Sequence, residues 1–507
     1  MKHHFVLHSD SGLPSKIMKD LIDTSVFPHD FGCGIRNEED ILSSFHKRRI
    51  GYSDKMRSIV HDCLQEQNKD LTQKEQENMQ AFANGAFSIT TGHQLMICGG
   101  TAFFEAKILS AVALAGEAQR ICGEPVVPIF WMASEDHDFE EIASFSVNKQ
   151  VFTWENEYAK GAVGRLGTKD LARQLNSFEK NAELSDSQRS FLRGRIKAYK
   201  ESDTLAQATR RIVREWCGDL GVLVIDGDDH RLKLAAQKIW TMELDGALST
   251  LIQERTTEML NSGYKAQVTP RPINLFELLG DSRKRVLETK HIEPHRVSPN
   301  ALIRPIYQEM LLPNLAYVGG GAELAYWLQL GKAFDALNLP MPRLYLRDSL
   351  VMAPVKTDDL LQKSKLAWRD ILGGNKESII KENLQYNRLM KIETEQYAAP
   401  IKDAIILWEQ KMLESYPEMK SHTEAIRTKM DALTSKTIEQ RYRTHKRRNE
   451  DFLKRLDSLF EIVYPDNIFW ERTSSYADVL GVLGYDPRDF LVEKMSTIKA
   501  GTHILLG

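Results

Sequence analysis

The stretch from Ala86 to Ser134 narrows the possible folds more than any other part of the chain. AFSITTG reads as a short buried strand ending at Gly92. The glycine-bearing turn Cys98-Gly99-Gly100 then leads into a long helical run from Phe103 to Arg120. Gly123-Glu124-Pro125 closes that run, and VVPIFWMAS comes next as a second apolar strand. Strand, helix and strand with short joints make a βαβ unit. The expected fold class is therefore α/β, a Rossmann-like core with a parallel sheet and right-handed crossovers.

A chain of 507 residues suggests two to four domains of about 100–200 residues each. The first half of the core is expected over 1–155. An inserted connecting region, 156–299, contains GVLVIDGDD, an apolar strand ending in acids, and a helical run from His230 to Leu260. Short apolar runs return over 300–355, including LAYVGGG and PRLYLRDS, as the second half of the core. Beyond Pro354 charged residues rise and glycine is absent between Gly374 and Gly481. Ile405, Met412, Met419, Ile426 and Leu433 fall seven apart, and Tyr416, Thr423, Met430 and Thr437 come four residues after the last four of these. That spacing predicts a helical coiled coil over 356–463 that joins a homodimer; a long amphipathic helix packed on its own domain is the alternative. Pro417 is tolerable only near a helix start, so two long helices are expected to meet near Ser415 to Glu418. The final segment, 464–507, is expected to return to the core.

Bulk properties exclude several classes. The net charge is −3, which favours neither a nucleic-acid nor a membrane partner. Cys33, Cys63, Cys98, Cys122 and Cys217 lie far apart with no CxxC pair, so no disulfide framework and no metal site is signalled. The N-terminal MKHHFVLHSDSG lacks the apolar run of a signal peptide. Ile108 to Ala118 is too short to span a bilayer, which needs about 20 apolar residues. Cytoplasm is the expected compartment.

Four segments can carry chemistry. Thr90-Thr91-Gly92-His93-Gln94, with Gly99-Gly100 after it, ends a strand and opens a helix, a place where backbone N–H groups and the helix dipole attract anions. A tight turn without a ligand is the bland alternative. Ala133 to Phe139 sets Glu135, Asp136 and Asp138 around His137 at the carboxyl end of the second strand, which suits acid–base work; the alternative is a capped helix start. Gly319-Gly320-Gly321, with Glu323, Tyr326 and Trp327 after it, lets a flat ligand lie on the backbone, with Glu323 accepting from ribose or sugar hydroxyls. Arg304, Arg343 and Arg347, with Ser349, offer forks for carboxylates or phosphates. The basic stretch Arg441 to Arg448 reads as a solvated helix face.

At these segments the chain resembles the bacillithiol cysteine ligase family (BshC). The matching stretches are TGHQ with Gly100 and Lys107 after it, PVVPIFWMASEDHDFEEI, RPIYQEMLLPNLAYVGGGAELAYW and MPRLYLRDS. The likeness runs in order over nearly the whole chain. It departs at His93, where members often carry Gln, at Gly320-Gly321-Ala322, where they carry Gly-Pro-Gly, and at Trp470-Glu471-Arg472, where they carry Gln-Glu-Arg. The resemblance implies an amide-forming ligase that joins cysteine to glucosaminyl malate, on a core similar to class I aminoacyl-tRNA synthetases with insertions and a dimerising coiled coil.

Joining a free carboxylate to an amine is uphill in water, so the acid must be activated. ATP or another nucleotide is the expected cofactor, and an adenylate and an acyl phosphate both remain open. His137, Asp136, Asp138 and His93 are the expected catalytic residues, with His137 and Asp138 managing the amine proton. Gly92, Gly99, Gly100, Lys107, Gly319, Gly320, Gly321 and Glu323 are expected at the nucleotide. Gln94, Trp131, Glu135, Arg304, Tyr326, Arg343, Arg347 and Ser349 are expected at the substrates, with Arg304 and Arg347 on the malate carboxylates. A scaffold or regulatory protein of the thiol pathway with a decayed nucleotide site is the alternative from another class. Polar clusters at three strand ends favour an enzyme.

Overall fold

VVPIFWM is an unbroken apolar run, as befits a strand covered on both faces, whereas FSITTGH alternates at first, with small hydroxyl residues at its polar positions. In the computed structural model, which describes residues 2–23, 33–280, 282–385, 392–495 and 497–507, both are buried strands. In chain order the strands are β1 (Lys2–Leu7), β2 (Phe87–His93), β3 (Val126–Met132), β4 (Ser144–Val147), β5 (Gln150–Thr153), β6 (Leu223–Asp226) and β7 (Leu275–Leu279). They continue with β8 (Ser282–Arg285), β9 (Val297–Pro299), β10 (Asn314–Gly319), β11 (Arg343–Leu346), β12 (Ser349–Ala353) and β13 (Gly501–Leu506).

The chain forms two units, 1–354 with 468–507, and 355–467. In the first, a five-stranded parallel sheet runs in the order β11-β10-β2-β3-β6. The fold is therefore Rossmann-like α/β. The helix Phe103–Cys122 crosses from β2 to β3 and is buried along nearly its whole first three turns. Gly123, at φ 68°, ends it by returning its N–H to the Gln119 carbonyl at 2.9 Å. One strand departs from the sequence expectation. Leu223–Asp226 falls within the inserted region by sequence, yet it pairs with β3 from Ile129↔Leu223 to Met132↔Asp226 and is an outer strand of the core. The chain between them holds a hairpin and several helices, so no local pattern could tie the two together.

A second sheet, β1-β13-β12, pairs the chain's first and last strands. A third, β8-β7-β9, belongs to the inserted region. In the second unit, Ala399–Ser415 and Lys420–Arg448 are helices joined by a short turn at Pro417–Met419, and Glu450–Val463 continues after Asn449. The two long helices fold back on each other: Glu409 accepts from Arg427 at 3.1 Å, and Lys402 lies 3.6 Å from Asp431. The heptad residues Ile405, Met412, Met419 and Ile426 are half-buried along this hairpin, whereas Ile401, Ile406, Leu407, Trp408, Tyr416 and Leu433 are exposed. No described helix is long and apolar enough to cross a membrane.

Candidate functional site

From β2 the chain builds outward through β3 to β6, then returns to the other side of β2 with β10 and β11. The order reverses between β2 and β10, and ligands of open α/β sheets bind outside the carboxyl ends of the strands at such a reversal. A cavity of about 520 Å³ lies there. Its wall takes Gly92 and His93 from the end of β2, Gln94 from the next position, Phe103 and Lys107 from the crossover helix, and Ser134, Glu135 and Asp136 from the loop after β3. Arg271, Phe276 and Arg283 of the inserted region close the other side.

Glu323 anchors one end. Lys107 Nζ lies 2.5 Å from its Oε2 and also donates to the Gly92 carbonyl. Arg304 Nη2 lies 3.5 Å from Oε1, and the Tyr317 hydroxyl donates to the same oxygen. Burial pushes the Glu323 carboxyl up, but Lys107 and Arg304 outweigh it and hold the group below its ordinary range. Burial likewise lowers the Lys107 ammonium. His93 sits edge-on to Phe103 and Phe104. Its Nδ1 lies 3.0 Å from the Gln94 carbonyl; a carbonyl only accepts, so Nδ1 carries the proton and Nε2 keeps its lone pair. Burial first, and then the Lys107 charge, lower its pKa to about 3. The ring is neutral at physiological pH.

The acidic segment divides. Asp136 accepts from Gln94 and, at 2.7 Å, from the His137 backbone N–H, and Arg283 Nη1 lies 3.3 Å away. Despite burial, these donors keep its carboxyl low. Glu135 Oε1 lies 2.6 Å from Lys233 Nζ, and Lys233 is completely buried. The His137 ring is half-exposed and outside the cavity lining, with Nδ1 2.9 Å from Arg283 Nη1. Asp138 also lies outside the lining; it caps the helix Phe139–Ile142 by accepting from Glu141 N at 3.2 Å.

Gly92, His93, Gln94, Lys107, Trp131, Glu135, Asp136, Arg304, Glu323 and Tyr326 thus come together around one cavity. Others do not. Gly99 and Gly100 lie outside the cavity lining, and several amides of this turn are already bonded: Gly99 N donates to the Met96 carbonyl, Gly100 N to Ile97 and Ala102 N to Ser474. Gly319, Gly320 and Gly321 lie outside the cavity lining and sit against packed side chains; a Cβ at Gly320 would lie 2.9 Å from the Phe103 ring. Arg343 pairs with Asp40 at 3.2 Å, away from the cavity. Arg347 is buried in a two-point pair with Glu471, with Ser349 Oγ 3.3 Å from Nη1, and its guanidinium stacks 3.9 Å from the Phe103 centroid. Arg472 stacks on the same ring at 4.8 Å, so Glu471-Arg472 braces the cavity wall from behind.

Sequence reasoning missed Phe103, Arg271, Arg283 and Lys233. Each basic residue is a single cation among many in the inserted region, and only the fold brings it to the strand ends. Phe103 had one usable signal, its position at the start of the crossover helix.

Fold and cavity together define a Rossmann-like protein with a mixed-charge cavity at the switch point of its sheet. The family described as "Bacillithiol biosynthesis BshC, N-terminal Rossmann-like domain" matches residues 29–293 and 285–348. A protein of Christiangramia forsetii bearing the name "Putative cysteine ligase BshC" is 31% identical over 506 residues, 92% of each chain. One of the same name from Flavobacterium johnsoniae is 29% identical over 99% of each chain, and one from Cytophaga hutchinsonii is 36% identical over 57% of this chain and 59% of its own. The chain belongs to the BshC family.

Proposed function

We propose that this protein joins the carboxyl group of cysteine to the amine of glucosaminyl malate, the amide-forming step of bacillithiol biosynthesis. One observation carries the proposal: a single cavity collects Glu135, Asp136 and Glu141 together with Arg271, Arg283 and Arg304. An acceptor that bears both an ammonium and the two carboxylates of malate needs both signs in one pocket. Arg271 is suited to a carboxylate, because its guanidinium pairs with no acid among the described residues. Arg304 adds charge while its own forks hold Gln308 and Tyr326.

ATP or another nucleotide is proposed as the group that activates the cysteine carboxylate by giving it a leaving group. Gly92, His93 and Phe103 line the wall suited to hold it, and His93 Nε2 offers an acceptor there. Lys107 contributes through its charge, since its ammonium is already bonded to Glu323 and Gly92. A homodimer through the exposed apolar row of the helical hairpin belongs to the same proposal.

Purified protein given cysteine, glucosaminyl malate and ATP is expected to form the amide, read by mass. Protein that binds neither cysteine nor glucosaminyl malate in calorimetry would overturn the proposal.

A further inference from the structure

We infer that Glu135 receives the acceptor amine: it pairs with the incoming ammonium and takes its protons as the carbon–nitrogen bond forms, while Lys233 acts as a positioning residue. The inference rests on the amide-forming function proposed for this cavity.

Glu135 lies in the loop directly after β3 and lines the cavity. Its two oxygens differ. Oε1 is held 2.6 Å from Lys233 Nζ, whereas Oε2 makes no hydrogen bond with a described residue. Lys233, on the helix His230–Ala235, is fully buried and lies 2.6 Å from Asp228 Oδ1 as well. One ammonium therefore serves two carboxylates. Asp228 has a second cation, Arg165 at 2.7 Å, so the unbalanced negative charge falls towards Glu135 and the cavity.

Other charged or titratable groups face Glu135 from the elements around it. Asp228 lies just past β6, Arg283 comes from β8, and Tyr307 comes from the helix Ile303–Leu311. Arg283 is itself tied to Ser298 Oγ at 3.0 Å and to the Pro299 carbonyl at 2.9 Å, which keeps it from closing on Glu135. Burial raises the Glu135 carboxyl, and Lys233 opposes that rise without cancelling it. A carboxylate of raised basicity suits proton transfer near neutral pH better than an ordinary one. His137 competes poorly for the task, because its ring lies outside the cavity lining with Nδ1 against a guanidinium donor.

The acceptor ammonium gives its first proton to Glu135 Oε2, which passes it to water. The amine lone pair then forms a bond to the carboxyl carbon of cysteine, already carrying a phosphate-linked leaving group. A second N–H bond breaks, its electrons stay on nitrogen, and the proton goes to Glu135. The leaving group departs with the electron pair of its bond to carbon.

The test is calorimetric titration with glucosaminyl malate as a function of pH, paired with the rate of amide formation. Wild-type affinity is expected to fall as pH drops through the Glu135 titration. Glu135→Gln should weaken binding by about fivefold near neutral pH and abolish that pH slope. It should slow amide formation by about 10²–10⁴-fold, and Glu135→Asp should restore part of both. Lys233→Met should move the acidic limb of the rate profile to higher pH, with Lys233→Arg restoring it. Glu135→Gln protein that binds and turns over with the wild-type pH profile overturns this inference alone. Wild-type protein that does not bind glucosaminyl malate overturns the proposed function and this inference with it.

Discussion

Buried Lys107 and half-buried Glu323 form a pair in which neither partner is easily removed. Breaking such a pair leaves an uncompensated charge and costs about 3–5 kcal/mol; here Arg304 at 3.5 Å offsets part of that. Lys107→Met is expected to lower the melting temperature clearly, and adding Glu323→Gln should recover much of the loss. His93 makes a different prediction. Its folded pKa, about 3, lies below the ordinary 6.5, so between those values the unfolded chain binds the proton and the folded chain does not. Stability is then lost as pH falls from about 6.5 towards 3. His93→Gln should flatten that fall in denaturant titrations, and an unchanged slope would place the ring in water. His93, Asp136 and Glu323 are legible in the sequence because polar residues directly after apolar strands mark a switch-point cavity. Arg271 and Lys233 are not, because nothing in their neighbourhoods separates a site cation from a surface one. Arg347 stands out by its position, but its partner Glu471 lies over a hundred residues away and is visible only in the fold.

The loop after β3 is shaped by a neighbour distant in sequence. Gly164 donates its N–H to the Ser134 carbonyl at 2.8 Å, and a Cβ there would meet Ser134 Cβ at 2.6 Å and its carbonyl oxygen at 2.8 Å. Backbone cannot yield as a side chain can, so Gly164→Ala must push Ser134 and Glu135 aside. A loss of about 1–3 kcal/mol is expected, with a larger fall in amide formation than in acceptor affinity. Gly116, exposed on the helix Phe103–Cys122 with no atom near its added Cβ, is the control. Gly116→Ala should stabilise by about 0.5–1 kcal/mol in the same unfolding experiment and leave activity alone. Elements with strong local patterns, such as β2, the crossover helix and β3, can be read from the chain. β6 is legible as a strand but not as part of the core, because four residues inside a long crossover carry no mark of their partner. The glycine run after β10 is legible as a tight place, but the closeness of Phe103 and Met18 to it is visible only in the fold.

At the scale of the molecule, the hairpin of the second unit leaves Ile401, Ile406, Leu407, Trp408 and Leu433 exposed. Apolar area of this kind is worth about 25 cal/mol per Å² when covered, and a second copy is the proposed cover. Leu407→Asp with Trp408→Asp should yield monomers in sedimentation, and a wild type already monomeric at micromolar concentration would contradict the dimer. The heptad spacing is legible, but half of what it encodes is spent between the two helices of one hairpin, which spacing alone cannot reveal. The proposed reaction is tested most directly in cells. Thiols and their precursors should be quantified in a strain lacking this protein and in one expressing Glu135→Gln. Bacillithiol should disappear from both while glucosaminyl malate accumulates; unchanged bacillithiol in the strain lacking the protein would contradict the account.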